Sequence, residues 1–149
     1  MYVPQITKVA TVEIPVSNLE RSVKWYTDVL KLELHFKGEK EAMLLFQTKG
    51  AATIYLVETK DEHRLAFLNS NTGITHSVID FYTSDLKGFY EYLQKQHVEV
   101  GSYNVNPEDP NGFGGFGFRD PDGNWLSACN IDHDRFISEQ AFAETSLVK

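Results

Sequence analysis

The stretch Phe116 to Asn130, FGFRDPDGNWLSACN, decides how the rest of the chain is read. Phe116 and Phe118 alternate with Gly117 and Arg119 as in a half-buried strand, and Asp120-Pro121-Asp122-Gly123-Asn124 follows with the densest turn chemistry in the sequence. Pro121 presets a turn φ, the two aspartates can accept from nearby amides, and Gly123 or Asn124 tolerates positive φ. The expectation is a hairpin, with Trp125 to Asn130 returning as the next strand. A tight turn has no chemistry of its own. Its weight comes from standing at the end of the second of two similar halves.

The first half opens on Ile6 to Val16, where Val12, Ile14 and Val16 would face one side of a strand and Thr11, Glu13 and Pro15 the other. Ser17-Asn18-Leu19-Glu20 reads as a Ser-x-x-Glu capping box that starts a helix. Leu19, Val23, Tyr26 and Leu30 then form one apolar stripe, widened by Trp25 and Val29. Leu32 to Lys37, Met43 to Gln47 and Ala52 to Val57 read as three short strands. Thr59 to Thr72 is a polar linker with one apolar anchor, Leu65 to Leu68.

The second half repeats this order. His76 to Tyr82 alternates, with Ser77, Ile79 and Phe81 on one side and His76, Val78, Asp80 and Tyr82 on the other, and Ser84-Asp85 leads a second helix. Leu86, Tyr90 and Leu93 reproduce the spacing of Leu19, Val23 and Tyr26 after a shift of 67 residues. Val98 to Val105, Phe113 to Phe118 and Trp125 to Asn130 complete a second set of strands. The expectation is an α+β domain of two βαβββ units, residues 6–58 and 73–131, forming one cupped, mostly antiparallel sheet structure, followed by an extension over 132–149. Phe136, Ile137, Phe142 and Leu147 suit either a short packed helix or a frayed end.

Bulk properties narrow the function. With 149 residues, 42% of them hydrophobic, the chain can bury one core. A net charge of −7 argues against nucleic acid or an anionic membrane as partner and favours a small molecule. Cys129, the single cysteine, allows no internal disulfide and fits a reducing compartment. The opening MYVPQITK lacks a basic flank with an apolar run, and no stretch of about 18 apolar residues occurs, so the expected location is cytoplasmic.

Val16 to Leu30, VSNLERSVKWYTDVL, and the turn Asp120 to Asn124 resemble the strand-to-helix segment and final hairpin of the vicinal oxygen chelate superfamily, the glyoxalase, bleomycin-resistance and extradiol-dioxygenase group. The resemblance covers residues 6 to 131. It implies a cup and, in metal-dependent members, one divalent ion held by four inward side chains. Carried over, those positions fall on Thr11, near Tyr55, on His76 and on Ser127. An unbroken repeat of the first half's spacing selects Val78 in place of His76. Of these only His76 is an ordinary metal ligand. The resemblance therefore implies a cup without a bound metal; the alternative is a displaced divalent site around Glu13 and His76, serving lyase, isomerase or dioxygenase chemistry. It also implies a homodimer, since members complete their sheets by pairing subunits or exchanging halves.

The inward set Thr11, Glu13, Tyr55, His76, Asp80 and Ser127, with Trp125 as an aromatic wall, is the candidate ligand site. A carboxylate and an imidazole there could serve as acid and base, or the cup could bind an aromatic molecule without turnover. A cup plugged by its own side chains, serving only assembly, is the third alternative. Other signals carry less. Gly112, Gly114 and Gly117 spell G-x-G-x-x-G, but Phe118-Arg119-Asp120-Pro121 stands where a helix must begin. Cys129 reads as a small buried hydrophobe and Asp132-His133-Asp134 as an acidic turn.

Overall fold

The computed structural model describes residues 3–109 and 112–137. The first unit runs β1 (Thr11–Val16), α1 (Leu19–Asp28), β2 (Glu33–Lys37), β3 (Glu41–Leu45) and β4 (Thr53–Glu58). Its sheet has the order β1-β4-β3-β2, with β1 parallel to β4 and the other pairs antiparallel. A short antiparallel pair follows, β5 (Phe67–Leu68) and β6 (Thr75–His76). The second unit runs β7 (Ile79–Tyr82), α2 (Leu86–Lys95), β8 (Gly115–Arg119) and β9 (Trp125–Cys129). Its sheet, β7-β9-β8, repeats the first-last-middle order, again with a parallel first pair. The expected α+β class and the cupped-sheet family fold hold.

Several local expectations are corrected. The span 98–105 forms no strand and makes only two isolated bridges, Val100 to Phe118 and Asn104 to Gly115. The apolar anchor of the linker forms β5, which pairs with β6 at the start of the second half in a hairpin whose turn includes Gly73 at φ 73°. The strand expected over His76 to Tyr82 is broken at Ser77 and Val78, because His76 pairs with Phe67 while Ile79 pairs with Leu126. Ser17 does not cap α1. Asn18 does, its side chain accepting from the Arg21 amide, which frees Ser17 for a distant partner. In the extension, His133–Phe136 forms one 3-10 turn, and Phe142 and Leu147 lie outside the described residues.

One buried cluster joins the two units. Ile14, Val16, Ala42, Leu44, Ile54 and Leu56 from the first sheet meet Phe116, Phe118, Leu126 and Ala128 from the second, together with Leu19, Val23, Tyr26, Leu86 and Leu93 from the helices. Burying one such leucine stabilises by about 2 kcal/mol. Because both sheets turn one face to this core, their opposite faces are left to solvent.

A polar lock spans the same junction. Asp122 Oδ1 accepts from the Ser17 amide and hydroxyl and from Arg21 Nη2 at 2.9 Å, while Ser22 Oγ donates to Oδ2 at 3.3 Å. Arg64 adds a more distant ion pair at 3.7 Å. The carboxylate therefore faces the positive end of α1, where the helix dipole favours an anion. Asp120 accepts from the Asp122 and Asn124 amides and from the Tyr26 hydroxyl at 2.8 Å. Asn124, fully buried, donates to Pro15 O and Asp120 and accepts from the Leu65 amide. Burial, then the Asp120 charge, pushes the Tyr26 phenol well up, so it stays a neutral donor.

The outer face of the second hairpin is shaped by absent side chains. Gly117 lies opposite Ser127 on β8, and the Trp125 indole crosses it to reach Gly101. A Cβ at Gly117 would overlap Trp125 Cζ2, and one at Gly101 would stand 3.2 Å from Cη2. The Arg119 guanidinium lies 4.7 Å from the Trp125 ring centre.

Two predictions follow from this geometry. Burial works to raise the Asp122 carboxyl, but Ser17 and Arg21 outweigh it and hold the group below the usual carboxylate range. Its contribution is thus complete above the unfolded value of about 3.9 and is lost as pH falls through the lower folded value. Asp122→Ala should lower stability at neutral pH by about 3 kcal/mol, and Asp122→Asn should flatten the acid limb of stability against pH, both measured by denaturant unfolding. Gly117→Ala should cost roughly 1–3 kcal/mol and alter the near-UV circular dichroism of Trp125; unchanged spectra and stability would contradict the packing described.

Candidate functional site

The solvent-facing side of the first sheet carries Thr11 and Glu13 from β1 and Tyr55 from β4. Register places Glu13, Tyr55, Met43 and Phe36 in one row across all four strands, grading from a carboxylate to an exposed ring. Thr11 Oγ1 lies 2.6 Å from Thr53 Oγ1, so its hydroxyl is satisfied within the sheet. The neighbouring Glu41 carboxylate raises the Tyr55 phenol and keeps it protonated. Glu41, Met43 and Phe36 were not singled out in the sequence. The strand pairing that aligns them with Tyr55 is a long-range fact with no local signal.

On the second sheet, Asp80 stands opposite Ser127 and Trp125 opposite Arg119. Ser127 Oγ lies 2.9 Å from Asp80 Oδ1, 2.7 Å from Ser77 Oγ and 3.1 Å from Ile79 O. Strand alternation had put Ser77 on the side away from Asp80. The break before β7 turns it back, and a chain Ser77–Ser127–Asp80 results. A serine donates once, so when Ser127 donates to Asp80 it accepts from Ser77. Asp80 is exposed, with Ser127 placed against its Oδ1.

His76 lies apart from this chain. Its ring stacks on Phe67 at 5.2 Å, and Nε2 is 3.3 Å from Asn69 Nδ2. The structure thus brings Asp80 and Ser127 together and sets Trp125 beside them. It makes no hydrogen bond between Thr11, Glu13 or Tyr55 and any of His76, Asp80, Trp125 or Ser127. The two sets occupy outward faces of two sheets that share a core.

The donor chemistry at the four family metal positions does not fit a divalent ion. Thr11 and Ser127 offer neutral hydroxyls already engaged with Thr53 and Asp80, and Tyr55 a phenol raised by Glu41, leaving His76 as the one ordinary ligand. Among the described residues no group of three or more His, Cys, Asp or Glu is placed to hold a metal. The Cys129 thiol is buried and pushed up by that burial, which disfavours the nucleophilic thiolate. Asp132 accepts from the Asp134 amide, so Asp132-His133-Asp134 closes a turn. Gly115–Arg119 is a strand, and the G-x-G-x-x-G letters open no helix. No helix among the described residues is long and apolar enough to cross a membrane.

No curated protein is significantly similar to the chain in sequence. Solved structures are similar in fold. A glyoxalase/bleomycin resistance protein/dioxygenase superfamily member from Sphaerobacter thermophilus has a TM-score of 0.66 at 19% identity, covering 86% of this chain and 100% of that one. The antibiotic-binding protein TnmS3 from Streptomyces sp. CB03234 has a TM-score of 0.62 at 22% identity, covering 87% and 99%. The fosfomycin resistance protein FosX from Listeria monocytogenes has a TM-score of 0.65 at 14% identity, covering 86% and 96%. Residues 8–128 match the family described as Glyoxalase/Bleomycin resistance protein/Dioxygenase superfamily, and with the paired units and the repeated strand order this chain belongs to that superfamily.

Proposed function

We propose that the protein binds a small organic molecule without a metal, in a cup completed by a second copy of the chain. The observation that carries this reading is the state of the four inherited positions: three hydroxyl side chains, two of them hydrogen-bonded to protein partners, stand in place of the ligands an ion would need. Such groups suit hydrogen bonding to a ligand in place of coordination. Trp125, Tyr55 and Phe36 supply flat apolar surface, and Glu13, Asp80 and Ser127 supply the orienting polar contacts. Neutral Thr11 and the exposed His76 complete the set.

The second copy is proposed because each sheet offers its polar face outward. In a two-fold pair, the Glu13–Tyr55 row of one chain would face the Asp80–Ser127 chain of its partner, and the partner's copies of these faces would do the same. Phe36, 49% exposed, would be covered. Nucleic acid and membrane are not the proposed partners, given the net charge of −7. A cytoplasmic setting suits the lone thiol.

Light scattering should give the mass of a dimer. A thermal-shift screen of aromatic antibiotics, thiol adducts and catechols should find a stabilising compound: at about 100 times its Kd the gain is about 2.7 kcal/mol, roughly 5–10 °C for a chain of this size. Ser127→Leu should abolish that shift. A monomer at working concentration, or near-stoichiometric divalent metal whose removal abolishes binding, would overturn the reading.

A further inference from the structure

A second cavity lies on the other side of the sheets. Between the units, where α1 ends and where β3 and β7 run out, a cleft of about 520 Å³ opens to solvent. Leu30 and Phe46 from the first unit and Phe81 and Phe89 from the second line it, with the Phe46 and Phe81 rings in contact at 5.9 Å where the units meet. Phe81 and Ala128 lie on the buried side of β7 and β9, opposite Asp80 and Ser127, and Tyr82, at the end of β7, is the one lining residue on the outward face, so the cleft meets the candidate cup only at that strand end. Its volume is that of a site for a drug-sized molecule.

The charge pattern selects the ligand. The chain has 21 Asp and Glu against 14 Lys and Arg, yet no Asp, Glu or His lines the cleft. Its one cationic lining residue is Lys31, which forms no ion pair among the described residues. Asp28, three residues before Lys31, is held by Lys24 at 2.7 Å. Lys31 also has φ 61°, a left-handed conformation that glycine takes more readily. Gln47 and Thr83 add hydrogen-bonding groups beside it.

We infer that this inter-unit cleft binds a small organic anion with a flat apolar body, its carboxylate or sulfonate on Lys31 and its ring among Phe46, Phe81 and Phe89. The aromatic walls remove the body from water, and the ammonium gives the charge-assisted contact that sets polarity of insertion. Because both units supply walls, the ligand bridges them and stabilises their junction.

Calorimetric titration with naphthoate and with naphthylmethylamine tests this on the full chain, with two-dimensional NMR to place the ligand. Naphthoate should bind and the cationic analogue should bind about tenfold more weakly. Lys31→Gly relieves the left-handed backbone, so its melting temperature should equal or exceed that of the parent, while its naphthoate affinity falls about tenfold. Resonances of Leu30, Phe46 and Phe89 should shift, and those of Tyr55 and Trp125 should not. Absence of naphthoate binding, equal binding of the amine, unchanged affinity in Lys31→Gly, or shifts centred on Tyr55 and Trp125 would each overturn the inference. Binding at the cup is read separately, by the dimer mass and the Ser127 variant.

Discussion

Two carboxylates on one five-residue turn fasten the end of the second unit to the beginning of the first. Asp122 reaches the Ser17 amide and Arg21, and Asp120 reaches the Tyr26 hydroxyl, across about a hundred residues of chain. Burying two acids is unfavourable unless each is fully hydrogen-bonded, and here each is. No buried side-chain polar atom among the described residues lacks a partner. The network carries geometric information that apolar contacts lack, since hydrogen bonds fail when their groups shift. It sets where α1 starts relative to the β8–β9 hairpin, and the common core is built around that placement.

The functional consequence is one of facing. Once the inner faces of both sheets are committed to a shared core, Glu13 and Tyr55 must look outward on one sheet and Asp80 and Ser127 on the other. The inner cleft beside Lys31 lies where the two units meet, at the Phe46–Phe81 contact. The two proposed sites therefore differ in chemistry: the outward set is polar, and the inter-unit cleft is mostly apolar.

Much of the fold was legible because it is repeated. The recurrence of Leu19, Val23 and Tyr26 as Leu86, Tyr90 and Leu93 reports helical faces, and the helices buried these positions fully or in part. What failed to read depended on distant partners. Ser17 carries a capping pattern, but Asp122 engages it, and Asn18 takes the cap. Alternation over His76 to Tyr82 assumed one continuous strand. His76 instead pairs with Phe67, which draws the imidazole away and turns Ser77 toward Ser127. The span 98–105 has strand composition, yet only Val100 and Asn104 find bridge partners. The turn at Asp120 to Asn124 was recognised as a turn, while its role at the junction became visible only with Tyr26 and Ser17 beside it.

Site-resolved native-state hydrogen exchange tests the claim about the junction most directly. If the turn fastens the units, the amides of Ser17, Asp122 and Asn124 exchange only through global unfolding, with the same free energy as core amides of β4 and β9. Exchange of these three amides through a low-energy local opening, while both sheets stay protected, would contradict it.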